Sequence, residues 1–176
     1  MKKISINQNA TGKELTISIF RAKFGHILVA ADQTGISNIE LGDNPNEMSR
    51  DFCDRFPAHQ LNKNSTPEKF TKKILDLLEN PSFCHDLPLN IQGTAFQKEV
   101  WEALCKIPSG STETYAGIAK KIGSPKAVRA VASACAANRL AIAIPCHRVI
   151  RSDGSLSGYR WGTPWKKMLL EHEGAI

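Results

Sequence analysis

The chain has 176 residues, 41% of them hydrophobic, with a net charge of +6 and a pI near 9.1. That is enough apolar material for one large domain or two small ones, while no apolar run approaches the roughly 20 residues of a membrane span and the charged start Met1-Lys2-Lys3 lacks the apolar stretch of a secretory signal. Five cysteines, an odd count without a CxxC pair, argue against a disulfide framework or an all-cysteine zinc site and suit a reducing cytosol; the basic balance permits nucleic-acid binding without requiring it.

In chain order, residues 15–20, 25–31 and 35–41 are short β-rich runs divided by turn residues, an antiparallel meander. Asn44-Pro45 opens a helix to about Phe56, and the polar stretch 58–66 reads as a surface loop. Ser65 and Glu68 have capping-box spacing around Pro67 and head a second helix with Phe70, Ile74, Leu77 and Leu78 on its apolar face. A boundary within 81–93 separates this α/β unit, residues 1–90, from a mostly helical unit, residues 91–176. There Phe96, Val100, Trp101 and Leu104 mark one face of a helix over 94–107, broken by Pro108-Ser109-Gly110-Ser111. Thr114 caps a short helix over 115–122, ended by Gly123. Ser124-Pro125, an N-cap serine before a first-turn proline, starts the next helix, which runs to about Ala136 and stops at Asn138. The pair reads as a helix-turn-helix.

On its second helix Lys126, Arg129, Ala130 and Ser133 share one face, with Val128, Val131, Ala132 and Cys135 mostly on the other. Small side chains let a helix approach DNA closely, and one arginine can fill the space left by a displaced base. The same pattern also suits an alanine-rich packing helix with a solvated arginine.

The apolar run 140–144 reads as a buried extended segment that delivers Cys146 within Ile144-Pro145-Cys146-His147-Arg148-Val149. Cysteine reacts as its thiolate, and the proline restricts the backbone that presents it. Alternation along an extended segment turns His147 away from the Cys146 sulfur, so a bridging water carries the proton between them. The last helix begins at Thr163-Pro164, a cap followed by proline, and ends before Gly174; Glu171 or Glu173 is placed to orient His147, and spacing does not choose between them. Cys53, Cys84, Cys105 and Cys135 read as core residues. His26, His59, His85 and His172 read as surface or packing residues. His26, Cys53, Cys84 and His85 match no metal-ligand spacing, and no cofactor motif is present.

Pro145-Cys146-His147-Arg148-Val149 resembles the O6-alkylguanine-DNA alkyltransferases (methylated-DNA–protein-cysteine methyltransferases) of the bacterial Ada and Ogt type. The resemblance extends through residues 93–97, 126–131, 138–149, 154–162 and 169–174, almost all of the second half in order. It implies an α/β (α+β) fold: a ribonuclease H-like N-terminal unit with a small antiparallel sheet and helices, and a winged-helix-like C-terminal unit carrying the helix-turn-helix. It implies Cys146 as the alkyl acceptor, His147 as the water-mediated base and Glu173 as its carboxylate partner. Asn138 becomes the hinge that ties the recognition helix to the active-site segment. Arg129 becomes the finger that replaces the flipped guanine, and Tyr115 the residue that crowds the phosphate and hydrogen-bonds the purine. Lys126, Ala127, Ala130, Ser133 and Ser152 join them in contacting DNA. Tyr159, Val149, Arg160 and Trp161 line the base pocket, with backbone groups of Cys146, Val149 and Arg160 reading the guanine edge.

The implied partner is double-stranded DNA containing O6-alkylguanine, with O4-alkylthymine as a further substrate, and the implied protein is a cytoplasmic monomer that needs no cofactor and acts once. Trp161 stands where some relatives have a small residue, which predicts a narrowed pocket and poor reaction with free benzylated guanine. The cysteine cluster of the additional N-terminal module of Ada, and the zinc ligands of some eukaryotic relatives, have no counterparts in this sequence. Two other readings remain: a non-enzymatic protein that binds and flips alkylated bases, against which the Cys146 thiol speaks, and a cysteine hydrolase, which leaves the helix-turn-helix unexplained.

Overall fold

The computed structural model describes residues 15–57, 61–62, 68–81, 87–156 and 158–176. Three strands, β1 (Leu15–Ala22), β2 (Gly25–Asp32) and β3 (Gly35–Gly42), form the expected antiparallel meander. β4 (Leu61–Asn62) pairs parallel to β1 and lies inside the stretch expected to be a loop. Two residues are too few for an alternation signal; the free edge of β1 supplies the reason for this strand. The capping box at Ser65 and Pro67 falls outside the described residues, as do His59, Cys84 and His85.

β2 is buried on both faces, which explains its unbroken apolar run. Leu28 and Ala30 pack with Leu15, Ile17, Met48 and Phe52 under helix α1 (Pro45–Arg55). Asn44 caps α1, its Oδ1 accepting from the amides of Asn46 and Glu47 at 3.0 and 3.4 Å. On the opposite face Ile27, Val29, Ile39 and Leu41 join a larger core that runs without interruption into the second half. Ile74, Leu77 and Leu78 of α2 (Glu68–Glu79) enter the same core.

The outer edge of β3 is also engaged. Its Ile36 amide donates to the Pro88 carbonyl at 2.8 Å, and Ile39 donates to the Arg139 carbonyl at 2.8 Å while its own carbonyl accepts from Ala141 at 3.0 Å. The sheet therefore holds the segment that follows Asn138.

The second half contains α3 (Ala95–Leu104), β5 (Glu113–Thr114), α4 (Tyr115–Lys121), α5 (Val128–Ala136), β6 (Val149–Ile150) and α6 (Thr163–His172). Thr94 and Gln97 form a capping box on α3, and Thr114 Oγ1 caps α4 by accepting from Gly117 at 2.9 Å. β5 and β6 pair in parallel.

Three expectations change here. α5 starts at Val128, not at Ser124-Pro125. Ser124 is committed to the end of α4: its amide donates to Ala119 at 2.9 Å and that of Gly123, at φ 71°, to Lys120 at 3.0 Å, a Schellman closure. Residues 124–127 then close a separate turn, with Ala127 donating to the Ser124 carbonyl at 2.8 Å. The apolar run 140–144 is buried but not extended; it is a turn with Ile142 at φ 63°. Gly162, not Thr163, occupies the cap position of α6. Among the described residues no helix is long and apolar enough to cross a membrane.

Candidate active site

Cys146, His147 and Arg148 form one 3-10 turn at the end of this buried run. Ile142 is a β-branched residue in the left-handed region, a conformation that costs on the order of 1–3 kcal/mol and persists only where the surroundings impose it. The bonds from β3 and the Asn138 side chain impose it.

Asn138 is fully buried between α5 and this turn. Its Oδ1 accepts from the Leu140 amide at 2.9 Å, while its Nδ2 donates to the Ile144 carbonyl at 2.9 Å and to Cys146 Sγ at 3.1 Å. One side chain thus joins the end of α5 to the sulfur. Burial pushes the Cys146 thiol up to about 11; the Asn138 hydrogen bond and the Lys166 charge work against this rise. The resting sulfur is a neutral thiol, and a base is needed to make it a nucleophile.

The next residue in the turn is a histidine. His147 is fully buried, and its Nε2 lies 2.9 Å from Glu173 Oε1. Arg148 Nε donates to Glu173 Oε2 at 2.8 Å, and Arg148 Nη2 donates to Oε1 at 2.9 Å. Arg148 Nη1 reaches the Ile107 carbonyl at 2.6 Å. Burial raises the Glu173 carboxyl, but the hydrogen bonds from His147 and Arg148 outweigh it and hold the group at about 2. Burial lowers the His147 imidazole more than Glu173 raises it. The ring is therefore neutral beside a carboxylate. Its proton sits on Nε2, and Nδ1 carries a lone pair.

The end of α6 explains why Glu173 is the partner. Gly174 at φ 69° donates to Glu171 at 3.1 Å and Ala175 donates to Leu170 at 2.9 Å, a second Schellman closure. This puts Glu173 at the C-cap, facing the turn. Glu171 is exposed and 3.7 Å from Lys167.

Two residues of this site were given no role by sequence reasoning. Arg148 is one. Lys166 is the other: it has no exposed surface, and its Nζ donates to the Val149 carbonyl at 2.5 Å. The signal existed, since Lys166 shares the buried face of α6 with Leu169 and Leu170 at helical spacing.

The residues expected to line a base pocket lie next to the turn. Tyr159 stands edge-on to His147 with ring centroids 6.4 Å apart, and Trp161 stands edge-on to Tyr159 at 5.1 Å. Arg160 Nη1 donates to the Ala136 carbonyl at 3.3 Å, at the end of α5. Around these groups α5 presents Arg129, Ala130 and Ser133 to solvent and buries Val131, Ala134 and Cys135. Lys126 is exposed and Ala127 half-buried in the turn before α5. Tyr115 opens α4, half-buried against the core, and Ser152 is exposed in the turn after β6. Of the other cysteines, Cys135 is buried and pushed up to about 12 by burial, and Cys105 Sγ lies 3.9 Å from the Ala143 carbonyl. His26 and His172 make backbone contacts, with Asp43 at 3.1 Å and Leu78 at 2.9 Å.

Comparison with known proteins gives a consistent picture. A family model described as the 6-O-methylguanine DNA methyltransferase DNA-binding domain matches residues 95–175. The bifunctional transcriptional activator/DNA repair enzyme Ada of Escherichia coli is 47% identical over 156 residues, which cover 86% of this chain and 43% of that protein. The chain thus spans less than half the length of the Ada relatives it matches. The methylated-DNA–protein-cysteine methyltransferase of Methanosarcina barkeri is 40% identical over 157 residues, covering 88% of this chain and 94% of that protein. The crystal structure of Mycobacterium tuberculosis OGT in complex with DNA superposes with a TM-score of 0.70 at 31% identity, covering 90% and 92% of the two chains. The mixed α/β architecture, with its small antiparallel sheet, matches that of the O6-methylguanine-DNA methyltransferase from Pyrococcus kodakaraensis at a TM-score of 0.73 and 26% identity, covering 91% and 99%. By sequence and by structure, the chain belongs to the methylated-DNA–protein-cysteine methyltransferase family.

Proposed function

We propose that this chain repairs DNA by moving the alkyl group of an O6-alkylguanine onto Cys146, once per molecule. The observation that carries this reading is the buried thiol held by Asn138, followed in the same turn by a neutral His147 ring paired with the Glu173 carboxylate, at the foot of a helix with a small-residue outer face. His147 takes the thiol proton through water, and Glu173 stabilises the resulting imidazolium. The Cys146 sulfur then bonds to the alkyl carbon as the carbon–oxygen bond breaks. The electron pair goes to O6 and the purine gains a proton, helped by Tyr115. The product is a thioether, and the reading includes no step that restores the thiol.

Duplex DNA is the partner, bound along α5 through the minor groove. Arg129 enters where the guanine was, while Lys126, Ala127, Ala130, Ser133 and Ser152 contact the strands. Tyr159, Val149, Arg160 and Trp161 form the base pocket, which also takes O4-alkylthymine. We further assign residues 1–90 to a ribonuclease H-like unit and residues 91–176 to a winged-helix-like unit, in a protein that acts as a cytoplasmic monomer.

The test is intact-protein and peptide mass spectrometry after mixing with a duplex bearing one O6-methylguanine. One methyl on the Cys146 peptide, with one lesion repaired per protein, is the expected result. Tight DNA binding without a mass change would instead make the chain a damage-recognition protein.

A further inference from the structure

Among the described residues, two buried side-chain polar atoms have no hydrogen-bond partner: His147 Nδ1 and the Tyr159 hydroxyl. Leaving a buried polar atom unpaired is costly, and here two of them flank one thiol. Their chemistry is complementary. His147 Nδ1 is a lone-pair acceptor, because Glu173 holds the ring proton on Nε2. Burial, with Cys146 and Glu173 nearby, pushes the Tyr159 phenol well above its usual range, so it stays an O–H donor. The two rings meet edge to face at 6.4 Å.

We propose that Tyr159, beyond walling the base pocket, is a positioning residue whose hydroxyl and His147 Nδ1 together hold the single water that relays the Cys146 proton. A water has two hydrogens and two lone pairs. It donates one hydrogen to Nδ1 and accepts from both the Tyr159 O–H and the Cys146 S–H. Proton transfer then balances: the sulfur gives its hydrogen to the water, the water gives another to Nδ1, and the water is regenerated. A thiolate faces an imidazolium that Glu173 neutralises. Tyr159 loses no proton; it fixes the water in line between sulfur and ring.

The other ionisable groups around the sulfur are Lys166 on α6, Cys135 on α5 and Arg160 beside Tyr159. Arg148 adds its charge at His147. None of them supplies a donor to the unpaired Nδ1. The inference rests on the alkyl-acceptor reading of Cys146, and its test separates the two.

Carbamidomethylation of Cys146 by iodoacetamide, without DNA, and methyl transfer from an O6-methylguanine duplex are followed between about pH 6 and pH 10 in the parent protein and Y159F. The phenylalanine keeps the ring, and a melting curve checks the fold. The expected result near neutral pH is a roughly tenfold slower rate in both reactions, with the profile moved up by about one pH unit and DNA affinity unchanged. In an H147Q background Y159F adds no further loss, because Tyr159 acts through His147. Superimposable profiles, or fully additive losses in the double variant, would overturn the proposal. A parent protein that is carbamidomethylated but never methylated defeats the alkyl-transfer reading and still leaves the iodoacetamide profiles to decide the role of Tyr159.

Discussion

Two regions of this molecule do opposite things with the same kind of polypeptide. The outer face of α5 offers exposed Arg129, Ala130 and Ser133. The Cys146–Arg148 turn, a short distance along the chain, is entirely buried, and most of its polar groups are tied to Asn138, Glu173 or backbone carbonyls. A surface that must accept a large partner stays simple, because a charged contact works there by long-range attraction and costs little to present. On the proposed reading, a nucleophile that must stay unreactive until its substrate arrives is buried, because burial keeps the thiol protonated. Damage at the first region should therefore be mild and confined to binding, whereas damage at the second should reach both chemistry and folding.

The largest expected effect is that of C146A, which abolishes methyl transfer while leaving DNA affinity intact, read by mass spectrometry and gel shift. E173A comes next. It leaves the Arg148 guanidinium and the His147 ring buried without their carboxylate, so unfolding in urea should show a loss of about 3–5 kcal/mol, along with much slower transfer. If E173A is as stable as the parent, the contrast between the regions fails. R129A should slow repair of duplex lesions at limiting DNA while its melting temperature and its iodoacetamide reactivity stay those of the parent. A fall in either would show that α5 and the turn are not separable. Smaller again is the effect of Trp161: free O6-benzylguanine should inactivate the protein poorly, and W161G should be inactivated faster.

The smallest signature is the pH dependence of stability. Glu173 titrates at about 2 in the folded chain against 4.5 for a free side chain. Its contribution is complete above about pH 4.5 and is lost as the pH falls toward 2, because the unfolded chain takes up that proton first. Cys146 behaves inversely. Its thiol holds its proton to about 11 against 9.0 when free, so stability declines as the pH rises from 9 toward 11. Acid and alkaline melting series of the parent, E173Q and C146S assign each limb: the acid limb should shrink in E173Q and the alkaline limb in C146S.

Much of this architecture was legible without coordinates. The meander follows from three β-rich runs and their turns. Asn44 and Thr114 cap helices where the sequence places them, because a cap is a local hydrogen bond between residues two or three apart. The candidate site at Cys146 drew attention for the same reason: thiol, ring and restrictive proline are adjacent in the chain.

Tertiary structure decided the rest. Ser124 has the form of a helix start, but the Schellman closure of α4 claims its amide, and α5 begins later. The run 140–144 has the composition of a strand, but β3 and Asn138 bend it into a turn with Ile142 in the left-handed region. Spacing left Glu171 and Glu173 equal; the closure at Gly174 turned Glu173 inward and left Glu171 in solvent. Lys166 and Arg148 drew no attention as charged side chains until the fold gave each a buried carbonyl or carboxylate to meet. Sequence fixes what neighbours a few residues apart will do, because those contacts need little chain closure. Which distant groups share a low-dielectric interior, and hence which protons move, is set only when the chain has closed around them.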